Sequence, residues 1–209
     1  KYTNKVYIHY NMDHNKQQDI TGVVLAGGQG RRMGGQDKGL VQLFDKPLYQ
    51  HIIDKLQPQV EHLAISANRN IARYEQSGYP VWLDSIPDYA GPLAGFLSAL
   101  EKSTTHWVFF TPCDTPFIPT NLVETLWNHR ADFDAVYVND GNRDHPTLCL
   151  INKKMITPLQ RFLANGDKKL MLFLQSNNTK SIYINANKNA FINVNTLEDR
   201  QALEEQGKQ

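Results

Sequence analysis

The chain has 209 residues, 41% of them apolar, which is enough for one α/β domain with its own core and cramped for two. Its 22 basic and 21 acidic side chains leave a net charge of +1, so no global field marks nucleic acid or an anionic membrane as partner, and any phosphate binding must be local. No window approaches the roughly 18 continuous apolar residues of a spanning helix, and Cys113 and Cys149 form no CxxC pair and have no histidine nearby at metal-ligand spacing.

In chain order, Lys1 to Asp19 is mostly polar and lacks the apolar centre of a secretory signal, which fits a cytoplasmic protein. It is read as an N-terminal extension, 1–19, ahead of one domain, 20–209, with Val6-Tyr7-Ile8 its only piece of β character. Ile20 to Ala26 is short, apolar and β-branched without polar alternation, the pattern of a strand buried on both faces. Gly39 to Phe44 reads as extended, and Asp45-Lys46-Pro47 as a turn into a helix with Pro47 in its first turn. Leu48, His51, Ile52, Lys55 and Leu56 then recur at helical spacing.

Glu61 to Ser66 is the second strand, Ile71 to Gln76 a short helix and Tyr79 to Leu83 the third strand. A loop from Asp84 to Gly91 precedes a helix over Pro92 to Lys102. His106 to Thr111 is the most apolar strand and must be central. A helix from Pro119 to His129 and a strand from Asp134 to Asn139 follow. The pattern then loosens: strand Thr147 to Ile151, helix Met155 to Leu163, helical Lys168 to Gln175, strand Lys180 to Ile184. A last helix, Thr196 to Gln206, is capped by Thr196 with Asp199 three residues on. The alternation predicts a single Rossmann-like α/β domain, a mostly parallel sheet with helices on both faces. Each cysteine lies beside an apolar strand-like run, where a buried reduced thiol is expected.

Between the first strand and Lys38 the composition changes. Gly27, Gly28, Gly30, Gly34 and Gly35 fall among Arg31, Arg32 and Lys38. Such a loop lets backbone N–H groups converge on an anion, and the cations supply the charge that phosphate oxygens need. It is not a Walker A loop, because Lys38 stands between Asp37 and Gly39 rather than before Ser or Thr. Nor is it a dinucleotide fingerprint, because Met33 occupies the place of the third glycine. Ligands of open α/β sheets bind beyond the carboxyl ends of the strands. The first four strands end in the glycine loop, Ser66, Asp84 and Asp114, so four consecutive units deliver polar groups to one rim.

Leu25-Ala26-Gly27-Gly28, Arg32-Met33-Gly34 and Asp37-Lys38 together resemble the signature of the nucleotidyltransferases that activate sugars and cofactors. Gly91 to Gly95, Pro112-Cys113-Asp114-Thr115-Pro116, Asp144-His145-Pro146-Thr147 and Asn193-Val194-Asn195-Thr196 make the chain most similar to the molybdenum cofactor guanylyltransferases. The resemblance spans about Ile20 to Leu203. It implies the nucleotide-diphospho-sugar transferase type of fold and transfer of GMP from GTP to the terminal phosphate of molybdopterin, with or without molybdenum. Pyrophosphate is the other product, Mg²⁺ the cofactor, and molybdenum cofactor biosynthesis and molybdoenzyme maturation proteins the expected partners.

Residue by residue, the resemblance implies nucleotide binding by Leu25, Ala26, Gly27, Gly28, Lys38, Ser66, Asp84 and Asp114. Arg32, Lys38 and Asp114 are the expected catalytic residues, Asp114 the expected Mg²⁺ ligand, and Lys168, Lys169, Asn193 and Asn195 the acceptor side. Ser66 stands where the family often has Asn. A strand-end carboxylate framed by Pro112 and Pro116 suits a hard cation bridging phosphate oxygens; the alternative is a loop aspartate capping the helix near Pro119. Asp84 is either an acid of the nucleotide pocket, where it or nearby backbone reads guanine, or an ordinary turn residue, and Lys38 and Arg32 have solvated loop cations as their alternative. His145, ahead of Pro146, is expected to be held by turn constraints and not to be catalytic. Asn193 and Asn195 share one side of an extended segment and Val194 takes the other. The other readings are a cytidylyltransferase, which commonly carries Ala where Gly27 stands, and a non-catalytic carrier of GTP and molybdopterin.

Overall fold

The computed structural model describes residues 17–26, 35–86 and 91–208. Among them, seven strands form one sheet: β1 (Gln17–Leu25), β4 (Val60–Ser66), β5 (Val81–Trp82), β6 (Trp107–Pro112), β7 (Ala135–Asn139), β8 (Asp144–Asn152) and β9 (Thr179–Tyr183). β2 (Gln42–Leu43) and β3 (Lys46–Pro47) make a separate hairpin. The helices are α1 (Leu48–Leu56), α2 (Ile71–Glu75), α3 (Leu93–Lys102), α4 (Leu122–His129), α5 (Ile156–Ala164), α6 (Leu170–Gln175) and α7 (Leu197–Gln206). The order across the sheet is β5-β4-β1-β6-β8-β7-β9, parallel except for β8, which runs against both neighbours.

The alternation of side chains along β1 and β6 explains the two covered faces. Ile20 and Val24 of β1 and Phe109 of β6 point to one face, where they pack with Ile52 and Leu56 of α1 and Leu122 and Leu126 of α4. Val23, Val108 and Phe110 point to the other, against α3, α5 and α6. There Phe96 of α3 stacks on Phe110 at 3.9 Å. All these strand side chains are fully buried, as an unbroken apolar run predicts. The expected α/β architecture is the one observed.

Several local elements differ from expectation. β1 begins at Gln17, three residues before the apolar run, and the Asp19 carboxylate accepts the His106 backbone N–H at 3.1 Å. The stretch expected to be extended from Gly39 opens with a 3-10 turn, Lys38–Leu40. Pro47 stands at the cap of α1, one residue before its first turn. β5 has only two residues; Pro80 before it has no N–H to donate, although its carbonyl accepts from Ile65 at 2.9 Å. β8 starts at Asp144 and shifts register where Pro146 stands, since a residue without N–H cannot continue the ladder.

The carboxyl ends of β5, β4, β1 and β6 are flush. Leu25 is in register with Ser66 on one side and Pro112 on the other, and Ser66 with Trp82. From β1 the chain moves to β4 on one side, whereas β6 lies on the other, so the strand order reverses between β1 and β6. A doubly wound sheet has its ligand crevice at that switch point.

Candidate active site

At the switch point a cation is held between two oxygens from distant parts of the chain. Lys38 Nζ donates to Asp114 Oδ2 at 2.8 Å and to Asn195 Oδ1 at 2.8 Å. Asp114 arrives two residues beyond β6, and its side chain is 17% exposed against 21% for Lys38, so the pair is shielded but open to the crevice. The capping alternative for Asp114 fails: α4 has Asn121 at its cap with no side-chain bond, and the Asp114 carboxylate is turned to Lys38. The solvated-cation alternative for Lys38 fails for the same reason.

Asn195 is positioned from both sides. Val194 is fully buried with Val41, Leu43 and Leu48, and its N–H donates to the Asp114 carbonyl at 2.7 Å, which stitches this segment to the end of β6. On the other side Asp199 Oδ2 accepts the backbone N–H groups of Asn195 and Thr196, both at 3.0 Å, while Thr196 Oγ1 accepts from the Asp199 N–H at 3.0 Å. This is a complete capping box, as the spacing predicts, and it also fixes the residue before the cap.

A second group of residues meets over the start of α3. A Cβ placed on Gly95 would lie 3.1 Å from Ser66 Oγ, 3.5 Å from Asp84 Oδ1 and 3.6 Å from Leu25 Cδ2. Three of the expected nucleotide-binding residues therefore converge on Gly95, where an added methyl would be tight against Ser66. Asp84 is paired with Asn68 on the same rim. Its Oδ2 accepts from Asn68 Nδ2 at 2.9 Å and its N–H donates to Asn68 Oδ1 at 2.9 Å, so the carboxylate is oriented. Asn68 was not singled out from the sequence. Its signal was its position, two residues beyond Ser66 on the same rim.

Ala26 is buried and its N–H donates to the Ser66 carbonyl at 2.9 Å; the other expected residues fall into three sets. Gly27, Gly28, Arg31 and Arg32 lie outside the described residues. Lys168 and Lys169 are exposed, and the Lys168 carbonyl lies 3.7 Å from where a Cβ on Gly91, two residues before α3, would be. Asn193 is half-buried two residues before Asn195. His145 is held as expected: its Nε2 bonds Asp140 Oδ2 at 2.7 Å, and its ring packs on Phe191 at 5.4 Å. That bond, with the N–H groups of Arg143 and Asn142, keeps the Asp140 carboxyl down at about 2.

Cys113 and Cys149 are both free and buried. Burial, with the Asp114 charge next to it, pushes the Cys113 thiol up to about 12, and burial raises Cys149 as well. Neither is therefore an available thiolate at neutral pH. In a labelling time course with an aromatic disulfide reagent at pH 7.5, both thiols are expected to stay unreactive until denaturant is added. Immediate labelling of one equivalent in the native protein would contradict their burial.

The described arrangement offers a tethered ammonium, a partly exposed carboxylate with one oxygen committed to it, and an oriented acid beside Gly95. The chain is also similar to known proteins of one family. Residues 22–181 match the family profile described as the MobA-like NTP transferase domain. A Molybdenum cofactor guanylyltransferase of Serratia proteamaculans (strain 568) is 48% identical over 182 residues, covering 87% of this chain and 92% of that protein. One from Yersinia pestis (strain Pestoides F) is 47% identical over 183 residues, covering 88% and 94%. Among solved structures, Molybdopterin-guanine dinucleotide biosynthesis protein A from Archaeoglobus fulgidus superposes with a TM-score of 0.75 at 24% identity, covering 90% of this chain and 98% of that one. A CMP:2-keto-3-deoxy-manno-octonic acid synthetase complexed with CTP gives 0.68 at 16% identity, covering 92% of this chain and 100% of that one. These two likenesses are of fold alone.

Proposed function

The chain belongs to the molybdenum cofactor guanylyltransferases, within the MobA-like NTP transferase family, and on that premise we propose how its residues transfer GMP from GTP to molybdopterin. The terminal phosphate oxygen of molybdopterin attacks the α-phosphorus of GTP. The bond from that phosphorus to the bridging oxygen breaks, and pyrophosphate leaves with the electron pair. The attacking oxygen is already ionised, so no strong base is required; the protein must align the two phosphates and offset their charge.

The observation that carries this reading is the Lys38 ammonium held between Asp114 and Asn195 at the switch point. An ammonium has three donors, and two are used in holding it, which leaves one for a phosphate oxygen. Gly27, Gly28 and Arg32 bind the triphosphate, a role supported by their sequence pattern. Lys168, Lys169 and Asn193, with Asn195, face the acceptor.

Nucleotidyltransferases of this kind generally use a divalent metal, and the donor set fits one. Asp114 commits Oδ2 to Lys38, and Oδ1 has no hydrogen-bond partner among the described residues. Mg²⁺ takes oxygen ligands and is commonly bound by one or two carboxylates together with substrate phosphates, which makes Asp114 its ligand here. When bound it neutralises phosphate charge. Among the described residues no helix is long and apolar enough to cross a membrane. We place the enzyme in the cytoplasm, passing its product to maturation proteins of molybdoenzymes.

Asp84, oriented by Asn68, is the group that reads guanine, since a carboxylate accepts from both N1–H and the exocyclic amine. Gly95 lies against both Ser66 and Asp84. Gly95→Ala is expected to weaken GTP binding about fivefold, because a methyl that pushes on these two side chains costs roughly 1 kcal/mol at the low end. Titration with GTP in the absence of acceptor measures it, and unchanged affinity would remove Gly95 from the pocket. The nucleotide itself is tested by incubating molybdopterin and Mg²⁺ with GTP or CTP and analysing the dinucleotide. Guanine dinucleotide is expected; a cytosine product at equal rate would favour the cytidylyltransferase reading.

A further inference from the structure

We propose that Asp37 is a positioning residue for Lys38, acting through Tyr74 and Asn70 to fix the turn from which the ammonium reaches Asp114 and Asn195. The inference rests on the reading of Lys38 as the triphosphate cation. It concerns how a lysine at the edge of a glycine-rich segment comes to have a defined place.

The Asp37 side chain is 3% exposed, a burial that a carboxylate tolerates only when its oxygens are bonded. Oδ1 accepts from the Tyr74 hydroxyl at 2.7 Å, and Oδ2 accepts from Asn70 Nδ2 at 3.0 Å, with Arg69 Nε at 3.8 Å. Tyr74 is fully buried and packs edge-on against Tyr49 of α1 at 4.9 Å, so its hydroxyl is a fixed point. Burial, with Asp37 opposite, raises its pKa, so it remains a neutral donor. Asn70 has a left-handed backbone, φ 53°, a conformation that asparagine accepts more readily than most residues.

Both chain neighbours of Lys38 meet the same phenol. Asp37 takes its hydrogen bond, and Gly39 lies against its oxygen so closely that a Cβ there would collide with it. The turn is closed by Leu40 N–H on the Asp37 carbonyl at 3.0 Å and Val41 N–H on the Lys38 carbonyl at 3.2 Å. The Lys38 backbone is thus bracketed on both sides by an element, α2, that belongs to the neighbouring β4–β5 crossover. Among the described residues, Asp114 and Asn195 are what hold the Lys38 ammonium.

Tyr74→Phe tests this, because it keeps the ring and removes the hydroxyl. Turnover at saturating GTP and molybdopterin is expected to fall about tenfold, the loss of one charge-assisted hydrogen bond as felt through Lys38, at a temperature where thermal melting shows the variant folded. In a Lys38→Ala background the same substitution should cost nothing further, since its effect passes through the missing ammonium. Should Tyr74→Phe be folded too little to assay, Asn70→Gly removes the other bond from an exposed position that glycine accommodates, and a two- to fivefold loss is expected. Full turnover with only a lowered melting temperature, or an equal loss in both backgrounds, overturns the positioning role. If Lys38→Ala itself turns over like wild type, the reading of Lys38 falls and the inference with it.

Discussion

Asp114→Asn is expected to lower the rate of GMP transfer at least about a hundredfold while the protein still unfolds cooperatively, in line with losing one preorganised electrostatic contact to the transition state. The substitution keeps the size and one oxygen of the side chain and removes its charge. Two functions are lost together: the carboxylate on which a divalent cation would sit and the counter-charge that holds Lys38 at 2.8 Å. Removing one member of a shielded ion pair leaves the other uncompensated, so a reduced melting temperature accompanies the kinetic effect. Initial rate against Mg²⁺ concentration for both proteins, with thermal unfolding beside it, separates the two. Unchanged turnover with unchanged Mg²⁺ dependence would move the metal away from Asp114.

Lys38→Ala is expected to weaken GTP binding and turnover together, by about ten- to a hundredfold or somewhat more, since a charge-assisted contact is worth roughly 1.5 to 3 kcal/mol. Both parameters fall because a cation on the triphosphate acts in the ground state and the transition state alike. The structure adds that the substitution also frees Asn195, whose side-chain oxygen has Lys38 as its donor. Acceptor use is therefore affected as well as GTP. Steady-state kinetics with each substrate varied in turn measures both, and wild-type constants for the pair would remove this lysine from the site.

What the sequence made legible was the part written in local pattern. The apolar runs at Ile20 and His106 identified the central strands, because a strand buried on both faces has no polar alternation. The Thr196 and Asp199 spacing identified a capping box, and the alternation Asn193-Val194-Asn195 put the valine on the side opposite the two asparagines; in the structure Val194 is fully buried and both asparagines are partly exposed. The rim of Ser66, Asp84 and Asp114 followed from counting strand ends. What was not legible is what tertiary pairing decides. Lys38, Asp114 and Asn195 are separated by 76 and 157 residues, and no periodicity says that they share a hydrogen-bonded cluster. Asp37 read as part of a motif, and only the fold brings Tyr74 to it across 37 residues. The direction of β8 was likewise hidden, because an apolar run shows burial and not the sense in which a strand is laid down.

Transfer rather than storage at the switch-point cluster is decided by pyrophosphate release from the wild-type protein given GTP, Mg²⁺ and molybdopterin, with each of the three withheld in turn. Multiple turnovers of pyrophosphate that require all three together are expected, matched by an equal amount of molybdopterin guanine dinucleotide. Tight binding of GTP and molybdopterin without pyrophosphate release would contradict transfer and leave a carrier.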